Sequence, residues 1–439
     1  MPDAGRSNLG VNGRGPDVNF FPLNMDVANY PYKYREWGRT ENHIPEHFDI
    51  VSTNFNPNTS GYGSYLDFYL DKRGDVLTKL ELIVTRSALG NVGAGNTAYF
   101  NDFEGFSSIE HVEFYYSNKI FHVTYGEELM LNFLECTPPV ERTLLAEAQA
   151  GYKTDAERAL LSQIQSTWLV DLKVPWEQLW TTMPMISMPN QILVHVILKP
   201  LTSCVNYSGG STNIPTCNLV SAVLRSHYVH APQWRRIWLF DTVNANMGIA
   251  FKYGGNEFHH REVVNTASSS SQHVLLLRNI KNEVYAMWAT LQQQQNVDNP
   301  NDSQLDLWNY QSASRLYLED SGVKITNSYE WGTTKNADGS YTLLGQDQFH
   351  NYNIYEDQYR CFPAGRLGTQ VATIPLTEEK FVMPSEWDCF GSRQFLKYNN
   401  PDMKLEFDQA INNVLYLDVC AKIHNLIIYQ KGDIRKYLQ

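Results

Sequence analysis

Two strand patterns flank a knot of prolines, methionines and tryptophans between Trp168 and Pro200, WLVDLKVPWEQLWTTMPMISMPNQILVHVILKP. In the first, Val170, Leu172 and Val174 alternate with Asp171 and Lys173. In the second, Ile192, Val194, Val196 and Leu198 share one face while His195 breaks the other, the period-2 pattern of a sheet with unequal sides. Pro175, Pro184 and Pro189 cannot donate to a central ladder, so the segment between is a loop or short helical turn. A strand, a compact crossing and a return strand build a sandwich, not an α/β unit.

The 439 residues exceed one small core and fit two sheet-rich domains. Aromatic residues at 13%, with modest Ala, Lys and Glu, tilt the class toward all-β. The formal charge is −12 and the basic residues form no block denser than Arg235-Arg236, which argues against direct nucleic-acid binding. Cys136, Cys204, Cys217, Cys361, Cys389 and Cys420 form no CxxC pair. Cys204 and Cys217 have the spacing to close a loop, but free thiols in a reducing compartment fit this density better. The first residues lack the apolar core of a signal peptide, and no window approaches the ~20 apolar residues of a membrane span.

Along the chain, residues 1–30 are rich in Gly, Asn, Pro and Asp and read as an arm. Strands are expected at Tyr65–Asp71 and Leu80–Thr85, joined by Lys72–Asp75, and at Ile109–Phe114 and Lys119–Thr124, joined through Tyr116–Asn118. Both pairs read as antiparallel hairpins. Thr154–Gln165 is the one convincing helix, with Thr154 and Glu157 as a capping box and Leu160, Leu161 and Ile164 at helical spacing. Leu219–Tyr228 is a further strand. A second series follows at Met247–Tyr253, His273–Arg278, Val284–Thr290, Arg315–Leu318, Lys404–Phe407 and Leu415–Tyr429, with polar loops at Ser268–Ser271, Gln292–Gln295 and Lys335–Ser340. The second half repeats the style of the first without clear sequence identity.

Six segments carry a family resemblance by their order and spacing. They are LDKRGDVLTKLEL at Leu70–Leu82, IEHVEFYYSNKIF at Ile109–Phe121, the Trp168–Pro200 unit, HVLLLRNIKNEVYAMWATL at His273–Leu291, PAGR at Pro363–Arg366 and LYLDVCAKIHNLIIYQKG at Leu415–Gly432. Together they resemble the double jelly-roll major capsid proteins of the nucleocytoplasmic large double-stranded DNA viruses. Residues before about 60, Asn327–Tyr359 and Val371–Tyr398 find no counterpart, which marks a divergent member.

The resemblance implies an all-β chain of two tandem eight-stranded jelly-roll β-sandwiches with a short helical insertion and long loops. It places an N-terminal arm at 1–30, the first roll at 31–230 and the second at 231–439. It further implies a structural, non-enzymatic protein that forms pseudo-hexameric homotrimers of an icosahedral shell, without cofactor or direct nucleic-acid contact. Minor capsid, penton or cement proteins are expected partners, an internal membrane is expected beneath the shell, and the virion is the location after synthesis and assembly in the host cytoplasm.

Aromatic segments Asp306–Tyr310 and Tyr352–Tyr359 suit partly polar interfaces, with packing inside each roll as the alternative. Arg225, Arg235 and Arg236 are candidates to pair with carboxylates of the neighbouring roll or subunit, against a solvated linker. No catalytic, cofactor or metal residue is assigned. His259-His260 with Glu262 lacks HExxH spacing and reads as a strand-end surface, Gly90–Gly95 lacks the Lys-Ser/Thr of a phosphate loop, and Cys389 has no identifiable base. The competing reading is a carbohydrate-binding or carbohydrate-hydrolysing β-sandwich, for which Glu386 and Asp388 are the carboxylates to test. A module that only binds, such as a host-attachment or minor shell protein, is a third.

Overall fold

The computed structural model describes residues 47–55, 61–93, 95–136, 144, 146–149, 151, 153–172, 174, 185–208, 214–230, 249–264, 272–298, 307–308, 310–311, 313–326, 329–330, 333–335, 341–343, 371–376, 393–407, 414–430 and 433–436. In the first half, besides a small ladder between Ala98–Phe100 and Val205–Tyr207, the strands are β1 (His47–Phe55), β2 (Tyr65–Tyr69), β3 (Val76–Arg86), β4 (Ile109–Tyr116), β5 (Lys119–Tyr125), β6 (Ser166–Asp171), β7 (Ile192–Leu198) and β8 (Leu219–His230). They form two antiparallel sheets in the orders β1-β8-β3-β6 and β2-β7-β4-β5.

The second half repeats this arrangement. Apart from six further short strands among the described residues, its strands are β9 (Ile249–Val264), β10 (Gln272–Leu276), β11 (Glu283–Gln293), β12 (Arg315–Asp320), β13 (Tyr329–Glu330), β14 (Ala372–Pro375), β15 (Pro401–Glu406) and β16 (Leu415–Gln430). They pair as β9-β16-β11-β14 and β10-β15-β12-β13, so each strand stands eight places after its equivalent. Among the described residues every ladder lies wholly within 47–230 or wholly within 249–436. Two eight-stranded jelly rolls follow each other along the chain.

Alternation drives the packing. Ile192, Val194 and Val196 are 0% exposed, and Leu66, Phe68, Val112 and Phe114 join them from the neighbouring strands. Leu80, Leu82, Val84, Trp168 and Val170 of the opposite sheet are also buried. Burying one such aliphatic or aromatic side chain contributes about 1.5–3 kcal/mol, so the inward stripe fixes which face each strand turns inward. The knot after β6 is a crossing between sheets: β6 lies in one, β7 in the other, and Met185 and Met188 are buried beside it.

The expected hairpin between Tyr65–Asp71 and Leu80–Thr85 does not form. β2 pairs with β7, and β3 pairs with β8 and β6. Both strands have an apolar face, and placing them on opposite sheets lets both faces close one core. Lys72–Asp75 is therefore the crossover, and it is tightly fixed. The Tyr228 hydroxyl donates to the Asp71 carbonyl, and a Cβ on Gly74 would lie 2.3 Å from Tyr228 Cβ. The second expected hairpin does form: β4 pairs with β5 around Ser117 (φ 50°) and Asn118 (φ 64°), the left-handed pair that a two-residue primed turn requires.

Among the described residues three helices of five or more residues bear on the first roll: α1 (Glu104–Ser108), α2 (Gly126–Cys136) and α3 (Asp155–Ser162). The sequence reading identified only α3. Its capping box is present, with the Glu157 N–H donating to Thr154 Oγ1 at 3.3 Å and the Thr154 N–H donating to the Glu157 carboxylate at 2.8 Å. Its apolar residues are not the packed face, however: Leu160 and Ile164 are 66% and 55% exposed. Arg158 and Ser162, one helical turn apart, face the protein instead, and Ser162 Oγ accepts from the Phe100 N–H at 3.1 Å. Gln292–Gln295 also departs from the expected loop. Gln292 and Gln293 end β11, a short helix begins at Gln294, and buried Gln292 donates to the Leu307 carbonyl at 2.9 Å.

Candidate functional site

Most chemistry-bearing residues singled out in the sequence serve the architecture where they are described. His259–Glu262 is not a strand end but a bulge within β9, where the register steps from His259 opposite Val419 to Glu262 opposite Leu417. Arg261 takes φ 54° there, and a bulge re-aims its side chain. Among the described residues no group of three or more His, Cys, Asp and Glu is placed to hold a metal. Gly90 bridges to Thr216, and Asn91 Nδ2 donates to the Ile214 carbonyl at 2.9 Å, so the glycine-rich loop is closed against 214–216. Cys204, Cys217 and Cys420 are free thiols. Burial pushes Cys204 up to about 12, which keeps it protonated and unreactive. Glu386, Asp388, Cys389, Arg235, Arg236, Tyr352–Tyr359 and Pro363–Arg366 lie outside the described residues.

Arg225 is a correction. It lies within β8, not in a linker, and its guanidinium is 3.5 Å from Glu81 on the adjacent strand of its own roll. Glu81 also accepts from Lys79 at 2.9 Å and meets His227 at 3.0 Å. Burial by itself raises the Glu81 pKa, but the Lys79 and His227 contacts outweigh it and leave the carboxyl below its ordinary value.

The main polar construction is the seam between the rolls. Trp308, singled out in DLWNY, is 1% exposed, and its indole N–H donates to the Asp102 carbonyl of the first roll at 2.6 Å. Buried Glu127 at the start of α2 accepts from Lys199 at 2.6 Å and lies 3.4 Å from the guanidinium of Arg261. The Arg261 backbone N–H donates to Asp418 Oδ1 at 2.5 Å. Lys119, at the start of β5, pairs with Asp433 at 3.1 Å. Buried apolar side chains of both rolls form one contiguous cluster behind these contacts. The interface aromatic is thus an internal one, packed between rolls.

These contacts also fix relative orientation. Lys119 sits at the β4–β5 turn, beside the β2–β3 crossover and the start of β7. Asp433 pairs with Gln430 at the end of β16, which runs on past Glu283, the first residue of β11, in the direction of the β10–β11 turn. At the opposite end Asp102 and Trp308 belong to the β3–β4 and β11–β12 connections. The two rolls therefore stand side by side with like ends together: the short-turn end carries the β4–β5 and β10–β11 turns, the β2–β3 crossover and the chain leaving β6 for β7, and the other end carries the connections that leave β3, β5 and β11.

One excursion is anchored by an ion pair invisible in the sequence. Arg86 at the end of β3 is 0% exposed, and its guanidinium donates to Glu104 at 2.7 and 3.1 Å. It also donates to the carbonyls of Ile164 at 2.7 Å and Leu161 at 3.3 Å, and lies 4.3 Å over the Phe100 ring. Burial raises the Glu104 pKa while Arg86 pulls against it. The pair ties α1 and the C-terminal turn of α3 to the sheet.

Two equivalent jelly rolls standing side by side in one chain define the double jelly-roll fold. Solved structures with this fold are similar to the chain over almost its whole length. VP54 of PBCV-1, fitted into a reconstruction of the virophage Sputnik, gives a TM-score of 0.64 at 11% identity, covering 90% of this chain and 97% of that one. The Faustovirus major capsid protein gives 0.63 at 9% identity over 88% and 91%, and the Sputnik virophage structure gives 0.54 at 9% over 90% and 89%. No family model and no curated protein matches the sequence.

Proposed function

We propose that this chain is a major capsid protein of a large icosahedral double-stranded DNA virus, with no enzymatic role. The observation that carries the reading is the parallel, side-by-side placement of two equivalent rolls. Each subunit then has two similar outlines, so three subunits close a near-hexagonal block that tiles a shell. The similarity to the Faustovirus major capsid protein supports this. Within the proposal, residues 31–230 and 231–439 are the two rolls and 1–30 an arm that lies inward or along neighbours. The protein resides in the virion after assembly in the host cytoplasm, with penton, minor or cement proteins as further partners and a membrane beneath the shell.

Light scattering with negative-stain imaging of the same peak tests this. A particle of three chain masses with a pseudo-hexagonal outline is the expected result. A stable monomer at high concentration would overturn it. The carbohydrate reading depends on Glu386 and Asp388, and no observation on the described residues favours it.

A further inference from the structure

The short-turn end repeats one surface device in both rolls. In the first, the β4–β5 turn is Ser117-Asn118, followed by Lys119 and Ile120. In the second, the turn after β12 is Ser321-Gly322, followed by Val323 and Lys324. Both turns use two left-handed residues, with φ of 50° and 64° in one and 51° and 86° in the other. Each then presents one lysine and one β-branched apolar residue, in opposite order. Ile120 is 48% and Val323 71% exposed, and the Lys119 side chain is 65% exposed. The turn geometry needs only the left-handed pair, so folding gives no reason for an apolar side chain at either tip.

Exposed cations collect at this end, although the chain as a whole is acidic. Around these tips stand Lys72 and Arg73 of the β2–β3 crossover, Arg278 and Lys281 of the β10–β11 turn, and Lys397 before β15, all exposed. The carboxylates whose side chains are described there are Asp71, Asp75, Glu319, Asp320, Asp402 and Asp433, and Glu319 is buried against Lys404. Asp75 is buried, Asp71 is 3.7 Å from Arg73, Asp433 is on Lys119, and Asp320 accepts from the Asn400 N–H at 2.7 Å. Among the described residues, exposed cations thus outnumber exposed carboxylates at one end of a chain whose formal charge is −12.

We propose that the short-turn end binds the surface of an anionic phospholipid bilayer, with the lysines and arginines on headgroup phosphates and Ile120 and Val323 at the acyl boundary. Basic side chains interleaved with exposed apolar ones suit that interface. A nucleic acid offers phosphates but no apolar phase to accept the two tips. Two equivalent tips on one end, one from each roll, also match a sheet-like target. That the bilayer lies beneath a shell rests on the capsid reading; the affinity itself does not.

Flotation of the full chain with vesicles of phosphatidylcholine, alone or mixed with phosphatidylserine, tests this. Binding to the mixed vesicles only, weakening with salt, is expected. Each of Lys119→Ala and Lys324→Ala lowers partitioning about fivefold, and Ile120→Ser with Val323→Ser removes the fraction that survives high salt. Equal binding to neutral vesicles, no binding, or variants that bind like the parent protein would overturn the proposal, as would duplex DNA competing as well as the vesicles. Particle mass in the same samples separates failure of this surface from failure of trimer assembly, and unchanged thermal melting excludes misfolding of the variants.

Discussion

On the outward face of β2-β7-β4-β5, Tyr65 and Tyr69 are 55% and 56% exposed, while on the equivalent face of the second roll Tyr317 is 5% exposed. Tyr65 lies 4.9 Å from the His195 ring, which is held by Asp67, and the Tyr115 hydroxyl donates to Glu113 at 2.6 Å. Tyr317 instead accepts from Gln272 at 3.1 Å, donates to Glu406 at 3.0 Å and is covered by Lys324 at 4.3 Å. Lys404 pairs with Glu319 nearby. One topology therefore carries an open aromatic face in the first roll and a closed polar ladder in the second. Inward residues set the topology; outward residues are free to diverge and give each roll its own contacts.

The largest break in this equivalence is Arg86, for the second roll shows no similarly buried Arg–carboxylate pair among its described residues. Arg86→Met leaves Glu104 buried without its partner and is expected to cost about 3–5 kcal/mol, read by denaturant unfolding. Double replacement, Arg86→Met with Glu104→Leu, should recover most of that loss. If the double variant is no better than the single one, the pair is not the reason for the cost.

The β2–β3 and β10–β11 crossovers offer a smaller contrast. Gly74→Ala sets a methyl against Tyr228 and is expected to destabilise by about 1–3 kcal/mol. Asn279→Ala at the other crossover, an exposed site, should change stability by no more than about 0.5 kcal/mol. Equal losses would mean that the first crossover is no tighter than the second. Trp308→Phe removes the indole donor from the seam and is expected to cost about 1–2 kcal/mol. It should also split calorimetric unfolding into two transitions, whereas a single sharp transition would show that the apolar cluster alone couples the rolls.

The sequence revealed the parts of the fold that depend on alternation, because period-2 burial is local. β4 through its turn into β5, β7 with its inward Ile192–Leu198 stripe, and β9 to β12, β15 and β16 of the second roll could be read from it, whereas β13 and β14 fall in Asn327–Tyr359 and Val371–Tyr398, where no strand was expected. Pairing was less visible. Chain neighbours β2 and β3 belong to opposite sheets, and nothing local distinguishes a crossover from a hairpin turn. GEELMLNFLEC did carry a helix signal for α2, with Glu127 and Glu128 at its start and buried Leu129, Met130 and Phe133 along it. The seam was half legible: Trp308 and Arg261 stood in segments worth noting, but their partners Asp102 and Glu127 are distant in sequence. Arg86 and Glu104 offered no signal, since a buried charge resembles an exposed one until its surroundings are known.

The smallest expected effect separates the rolls by pH. In the first, Glu81 has a folded pKa below its ordinary 4.5, so its contribution is present above that value and is lost as pH falls through the folded pKa. In the second, burial holds His273 below its ordinary 6.5, with Glu262 pulling weakly back, and its Nε2 is buried without a hydrogen-bond partner. The unfolded chain takes up the histidine proton first, so stability is lost as pH falls through 6.5 toward the lower folded value. Mild acid should therefore weaken the second roll before the first. Thermal melts of the parent protein should slope downward below neutral pH. His273→Gln should flatten that slope, while Glu81→Gln should leave it intact and act only in stronger acid. An unchanged slope in His273→Gln would assign the mild-acid response to another group and remove this difference between the rolls.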